Sequence, residues 1–312
     1  MTTPGQDLDV RRTAGAVLGG CTAMVFVGGS AAVSALLVGS PSSTVQALRY
    51  ALAAAVLAGL ARVSRRRVLR PRGREWAWLA GVAVAGLVVF NVALVHGARH
   101  AEPAVFGVAV ASVPLVLALL GPLLDGRTTG GAVWLAAGLV TAGAVLVVGF
   151  GRADAVGVAW AVVVLVCEAA FTLLAVPVLG RLGPWGVSVH TTWMAAAAFG
   201  VLGVVTEGPL ALNRLGWPEL AAGAYLSLGV TALAFVCWYG AVARLGAGRA
   251  GLLTGIAPVA AAAVGVALGE PWPGPAVWVG ILVVATGLVV GLARPADDAL
   301  TGATAAPVEV AR

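Results

Sequence analysis

The sequence predicts an all-α polytopic membrane protein of ten transmembrane helices, arranged as two inverted five-helix repeats. Three observations carry this. Apolar residues make up 60% of the chain and charged residues 10%, against about 45–50% and 25% in soluble domains. The apolar residues fall into ten runs of about 20, each long enough to cross a ~30 Å hydrocarbon core at 1.5 Å per residue. The third observation is an internal repeat. Gly138–Gly149 lies over Gly280–Gly291 with five of twelve positions identical, and Pro114 matches Pro258 with a two-residue slip. Asp125-Gly126 stands where the second half has Glu270-Pro271. Five spans is an odd number, so the second copy enters the membrane from the opposite side.

Taken in order, residues 1–12 form a polar cytoplasmic N-terminus ending in Arg11-Arg12. The first repeat occupies 13–150. Span 1 runs over 13–38; its apolar run is too long for an ordinary signal-peptide core. Span 2 (43–62) is followed by a basic loop with seven arginines between Arg62 and Arg74. Span 3 (75–96) is opened by Trp76 and Trp78 and leads through a tight polar turn into span 4 (103–124), then span 5 (130–150). Gly151-Arg152-Ala153-Asp154 separates the halves. The second repeat, 156–293, holds spans 6 (156–179) and 7 (185–205), the longest polar connector (206–218), and spans 8 to 10. Span 8 ends in a basic turn, Arg244–Arg249, and span 10 starts at Gly274. The tail 294–312 has no apolar period and is expected to be disordered and cytoplasmic.

Orientation follows from counting arginines, since loops rich in basic residues stay inside. With the N-terminus inside, the inner segments hold fifteen arginines and the outer loops only Arg99, Arg152 and Arg214, while Arg49 lies within span 2. Both termini are therefore expected in the cytoplasm. All 19 basic residues are arginine and none is lysine, which, with heavy Ala, Gly and Val use, indicates a GC-rich bacterial genome. The net charge of +6 belongs to this asymmetry and implies no nucleic acid. Cys21, Cys167 and Cys237 all lie in apolar runs, and no Cys/His spacing suggests a metal.

The stretch from Trp217 to Leu292 carries a resemblance. A span ends in Trp238-Tyr239-Gly240-Ala241, Arg-Leu-Gly-Ala-Gly-Arg-Ala follows, a proline sits mid-span, Gly-Glu closes that span, and the last span ends in Gly287-Leu288-Val289-Val290-Gly291. This pattern resembles the second half of the EamA family in the drug/metabolite transporter superfamily. The resemblance extends over about 14–293 and implies a secondary transporter of the bacterial cytoplasmic membrane. Spans 1–4 and 6–9 would line a central cavity, with spans 5 and 10 supporting it. The implied cargo is a small polar metabolite, with amino acids or their derivatives first, exported by alternating access. Efflux of amphipathic compounds and a non-transporting membrane scaffold are the rival readings.

Candidate site residues follow from polarity inside apolar runs. Glu168, about 12 residues into span 6, places a carboxyl near the midplane, where a charge costs roughly 3 kcal/mol or more. It is read as a proton or cation site facing a cavity, or as a protonated carboxyl bonded to a neighbouring helix. Thr172 shares its face. Arg49, with Gln46 one turn earlier, would hold a substrate carboxylate or pair with Glu168, or else reach out to the headgroups. His190 and Trp193, one turn apart in span 7, would contact a cation or ring, or be structural. Asn91, Thr231 and Tyr239 are lesser candidates of the same kind. His96, Arg99, His100 and Glu102 read as a solvated turn. Pro114 and Pro258 each free a carbonyl four residues back, giving paired hinges or two static kinks.

No Gly-x-Ser-x-Gly, His-Glu-x-x-His or Walker loop is present, which argues against an enzyme or a nucleotide-driven pump. No cofactor and no metal is expected. The expected partners are the small-molecule substrate and the bilayer, with the protein a monomer or homodimer.

Overall fold

The computed structural model describes residues 4–37, 39–125, 130–269 and 271–292. Within them ten helices are long and apolar enough to cross a membrane. They are α1 (Arg11–Ser34), α2 (Ser42–Val63), α3 (Glu75–Gly97), α4 (Pro103–Leu123) and α5 (Gly131–Val148) in the first half. The second half holds α6 (Ala155–Leu173), α7 (Val176–Glu207), α8 (Trp217–Leu245), α9 (Ala247–Ala267) and α10 (Pro275–Leu292). All described regular structure is helical, apart from one isolated antiparallel bridge between Ala101 and Ala153.

Side-chain contacts fix the arrangement. Gly143 meets the carbonyl of Gly280, and Gly287 meets Val140, so α5 and α10 run antiparallel at close approach. A Cβ on Gly143 or Gly280 would fall 2.7 Å from the facing carbonyl, which is why small residues sit there. Gly121 meets Gly248 while Gly251 meets Leu117, making α4 and α9 antiparallel as well. The third such pair is α2 with α7: Glu207, at the end of α7, binds the first turn of α2. Beyond these, α1 lies on α8 and α9, and α6 lies on α3 and α4. The pairing maps onto itself when each of the first five helices is exchanged with the helix five places later.

Two further features recur at one spacing. Val82–Val89 in α3 and Leu226–Leu233 in α8 are both π-helical, 144 residues apart. Such widened turns are rare and cluster at functional sites. Pro114 and Pro258 are also 144 apart, and in both helices the break comes just before the proline. α4 is interrupted at Ser112, and α9 narrows to a 3₁₀ turn over Leu253–Gly255. The prolines therefore stand in the first turn of a new helix, where a missing N–H costs little, rather than inside one continuous kinked helix.

Some boundaries differ from the sequence expectation. The sixth span ends at Leu173, not near residue 179, because the segment from Val176 belongs to α7. α7 itself turns sharply at Gly183, whose φ of 67° only glycine adopts freely, followed by Pro184. The basic turn over 244–249 shrinks to a single residue, Gly246, with φ 79°. The connector 206–218 shortens, since α7 reaches Glu207 and α8 starts at Trp217. The matched Asp125-Gly126 and Glu270-Pro271 pairs and the tail 294–312 fall wholly or partly outside the described residues.

The main core gathers around the helix centres: Tyr50, Leu79, Val82, Leu117, Phe171, Phe199, Phe235, Trp238 and Tyr239. Tyr50 and Tyr239 are the largest fully buried side chains, and each hydroxyl has a partner, as a buried phenol requires.

Candidate functional site

One end of the bundle carries the Arg62–Arg74 loop; the other carries the first turn of α2 and the ends of α3 and α7. A cleft of about 360 Å³ enters from that second end between α2, α3 and α7. Its walls are apolar, from Val92, Val95, Phe199 and Leu202. Its inner surface is polar, from Gln46 and Asn91. At the rim it joins a wider polar mouth of about 700 Å³, bordered by Ser40, Thr206, Glu207, Arg214 and Glu219.

Gln46 and Asn91 belong to a chain of hydrogen bonds across three helices. Arg49 donates through Nε to Thr231 Oγ1 (2.8 Å) and through Nη1 to Gln46 Oε1 (3.3 Å). Gln46 Nε2 donates to Asn91 Oδ1 (2.8 Å), and Asn91 Nδ2 donates to the Tyr50 hydroxyl (3.2 Å) and to the Leu87 carbonyl (2.7 Å). Thr231 Oγ1 donates to the Leu226 carbonyl five residues back, a reach that the π-helical turn of α8 provides. The Arg49 guanidinium also lies 5.1 Å from the Tyr50 ring centroid, a cation–π distance. Its Nη2 edge has no protein partner among the described residues.

Glu168 is half-buried on α6. Its carboxyl makes no hydrogen bond or ion pair with any described residue. Glu168 stands one turn before Phe171 and Thr172, which bond to Tyr239 and Trp238 of α8. Arg49 and Glu168 form no ion pair with each other. Of the sequence candidates, Arg49 and Gln46 join the hydrogen-bonded chain that ends on the buried Tyr50, and Glu168 makes no bond to it. Asn91 and Thr231 belong to the same chain. Tyr50 had been visible only as the neighbour of Arg49.

Thr172, His190 and Trp193 sit elsewhere. Thr172 is buried and accepts a hydrogen bond from Trp238 Nε1 (3.0 Å), while Tyr239 donates to the Phe171 carbonyl (3.2 Å). These bonds tie the end of α6 to α8. The rings of Phe171, Phe235 and Tyr239 fill the space between, with centroids 4.9–6.3 Å apart. His190 and Trp193 face the arginine loop rather than the cleft. His190 Nε2 donates to the Leu69 carbonyl (3.0 Å), and its Nδ1 accepts from Trp193 Nε1 (3.2 Å). Both rings pack edge-on to Trp76. His96 is exposed at the mouth end, where it lines the cleft and stacks on Trp160.

The two ends are closed differently. At the arginine-loop end, α7 packs along α8. Ser188, Thr191 and Thr192 are fully buried there, and the Ser188 hydroxyl has no partner. Arg181 bridges Glu75 and donates to the Arg70 carbonyl. At the mouth end α2 and α3 do not pack along each other and meet through the bonds of Asn91 to Gln46 and Tyr50. Glu219 stands 144 residues after Glu75, also in a first helical turn. Instead of bridging to an arginine it accepts from the backbone N–H of Gly216 (2.9 Å). Glu207 accepts from the N–H groups of Ser43 (2.7 Å) and Thr44 (2.9 Å) and from the Thr44 hydroxyl (2.7 Å). It thus caps α2 from α7. No sequence signal marked Glu207, Arg181 or Glu75 as partners, since each bond joins residues more than 100 positions apart.

The family model of the EamA-like transporter family matches this chain twice, over residues 14–149 and 155–292. An uncharacterized transporter of Bacillus subtilis (strain 168), YetK, is 26% identical over 84% of this chain and 82% of its own length. A protein of known crystal structure superposes with a TM-score of 0.75, at 22% identity, over 88% of this chain and 96% of its own; it shares the fold. Ten apolar helices and a family match across both halves lead to one conclusion: the chain is a multi-pass membrane protein and belongs to the EamA-like transporter family.

Proposed function

We propose that the protein is a secondary transporter that exports small polar metabolites, amino acids or their derivatives first, by alternating access between two inverted five-span repeats. The observation that carries this is a pair of ionisable groups inside the spans whose hydrogen-bonding capacity the protein leaves partly or wholly unused. Arg49 offers a free guanidinium edge, and Glu168 offers a carboxyl without a partner. A guanidinium edge suits a carboxylate, which it can grip with two N–H donors. A lone acidic group inside the membrane suits an ammonium or a transported proton. Together they match the two ends of a zwitterion. In this reading the termini and the arginine loop are cytoplasmic, the membrane is the bacterial plasma membrane, and the cleft opens outward.

The antiparallel pairing of α2 with α7, α4 with α9 and α5 with α10 supports the inverted repeat, because counterparts in such a repeat run in opposite directions. The same pairing supports a cycle in which Ser188, Thr191 and Thr192 take the role on the inner side that Gln46 and Arg49 have on the outer side. The unpartnered Ser188 hydroxyl, costly in a static core, fits a surface that meets water in the other state. A second reading, efflux of amphipathic compounds, draws on the apolar wall of Val92, Val95, Phe199 and Leu202.

The deciding experiment uses reconstituted vesicles with a proton gradient and a panel of amino acids. Glu168→Gln mimics the protonated carboxyl. It should reduce gradient-driven transport at least about 100-fold while sparing substrate exchange, the expected split when only the coupling group is lost. Arg49→Gln should instead lose exchange and binding together. Gradient-driven transport of normal rate and pH dependence in well-folded Glu168→Gln would sink the coupling role.

A further inference from the structure

The loop between α2 and α3 holds seven arginines in thirteen residues, Arg62 to Arg74. All seven are exposed, and none forms an ion pair among the described residues. Glu75, the acidic group beside them, is bound to Arg181 and to the backbone N–H of Arg72. Seven guanidinium groups therefore lack a carboxylate.

The loop is also folded rather than trailing. Pro71 is buried, Val68 packs with Leu57 and Val189, and Arg65 takes a φ of 52°. The carbonyls of Leu69 and Arg70 are held by His190 and Arg181. The protein thus fixes the loop backbone and leaves the cationic side chains directed outward. Beside it lie exposed apolar groups, Leu69 at 37% and Trp193 at 42% exposure. Aromatic and long cationic side chains in this combination belong at the headgroup level of a bilayer.

We propose that this loop is a docking surface for anionic phospholipid headgroups, and that the docked lipid helps hold the α7–α8 seal shut. The proposal rests on the orientation given above, with the loop facing the cytoplasmic leaflet. A phosphodiester suits a guanidinium, which binds it through two N–H donors. Clusters of four to eight basic residues next to a transmembrane helix bind acidic lipid, each residue contributing about fivefold. The chain's own tail is a poor substitute, because 294–312 holds three carboxylates and two arginines. Coupling to the seal follows from connectivity: Val68 of the loop packs in one cluster with Val189 on α7 and Ala232 on α8. The residues that fix the loop, Arg181 and His190, are on α7, and Arg181 also bridges to Glu75 at the start of α3. A lipid that pulls the loop toward the headgroups acts on both sides of that bridge.

The test compares the full chain in nanodiscs of phosphatidylcholine with and without phosphatidylglycerol. Retained lipid is read by native mass spectrometry, and the seal by labelling of Ser188→Cys from the loop side in a background without the native cysteines. Phosphatidylglycerol should be retained several-fold over phosphatidylcholine, and its presence should slow the labelling several-fold. A triple Arg65→Gln, Arg66→Gln, Arg67→Gln variant should lose both effects. Since that variant could insert wrongly, Arg65→Lys, Arg66→Lys, Arg67→Lys keeps the charge that sets orientation and should retain less lipid than the parent. Equal retention of the two lipids would overturn the proposal. So would displacement of phosphatidylglycerol by millimolar inorganic phosphate, which marks a soluble-anion site, or a several-fold gain on deleting 294–312, which marks the tail as occupant. A reporter after Arg74 that reads periplasmic would overturn the orientation itself; a cytoplasmic reading without lipid preference removes the lipid proposal alone.

Discussion

At the arginine-loop end, α7 lies along α8 and a layer of Phe171, Phe235, Trp238 and Tyr239 closes the bundle. At the mouth end, the corresponding helices α2 and α3 stand apart and a cleft runs down to Gln46 and Asn91. The backbone differs little between these ends, since π-turns, breaks and helix pairings recur in both halves. What differs is which polar groups are spent on closure. Glu75 bridges to Arg181, whereas Glu219 caps its own helix. Trp238 and Tyr239 bond across to α6, while between α2 and α3 the bonds of Asn91 to Gln46 and Tyr50 lie at the inner end of the cleft and leave its rim open. Under the proposed alternating access, one scaffold with two sets of end contacts would act as a gate, since exchanging the sets would move the opening from one end to the other. Closed ends are held by a few bonds on top of apolar packing, so single substitutions should unbalance them.

The largest effect is expected at the seal. Trp238→Ala removes a buried indole and its bond to Thr172, a loss of about 3–5 kcal/mol from such a site. In a protein poised between two states, that energy falls on the state in which the indole is buried. Ser188→Cys, silent from the loop side in the parent, should then label at least about 30-fold faster, while Val95→Cys in the cleft should label more slowly from the mouth side. Equal labelling of both positions before and after the change would remove the distinction between the ends.

A smaller effect is expected at the mouth. Glu207→Gln leaves one acceptor where three donors converge on a carboxylate, worth roughly 1–2 kcal/mol for charge-assisted bonds of this kind. The first turn of α2 should fray, visible as faster amide exchange at Ser43 and Thr44. Substrate exchange should change by no more than a few-fold, because Gln46 and Arg49 lie one and two turns further in. If amide exchange at these two residues is unaltered, Glu207 is not what positions the rim.

How much of this was legible in the sequence depends on the range of the interaction. The ten spans were readable because apolar length is local, and the errors fell where a turn needs only one residue. Gly246 lies inside the basic turn read at 244–249 but needs no neighbour to complete it, and Gly183 turns a chain that stays helical on both sides. The prolines were readable as a matched pair, but helix breaks rather than continuous kinks require tertiary support. The π-turns were invisible: VAVAGLVV and LSLGVTAL share no residue at the same position. Glu168 and Arg49 stood out because charge in an apolar run is conspicuous. Tyr50, beside Arg49, did not, since a tyrosine in such a run reads as packing. His190 and Trp193 showed the right spacing for one face of α7, but spacing cannot tell a face that meets the cleft from one that meets a loop 121 residues earlier in the chain.

The smallest expected effect lies in the loops at the mouth end, and it concerns pH. Asp154 accepts the N–H of Gly157, capping α6, and contacts His100 Nδ1 at 3.0 Å. Those bonds, the first of them foremost, hold its carboxyl below the ordinary value of 3.8. Glu102 is likewise lowered, by the Arg152 side chain and then by the Arg152 N–H. A carboxylate lowered on folding stabilises the fold above its unfolded value, and that contribution is lost as pH falls through the folded value. Both groups are solvent-exposed, so screening keeps the contribution small. The Ala101–Ala153 bridge that they flank should therefore be intact at neutral pH and loosen only below about pH 4. Labelling of Ala153→Cys should rise across that window and stay flat between pH 5 and 8. Transport between pH 5 and 8 should owe none of its pH dependence to this pair, so Asp154→Asn should leave that profile unchanged while Glu168→Gln flattens it. A shifted profile in Asp154→Asn would place a titrating group at the mouth, and the difference between the ends would then include proton coupling as well as closure.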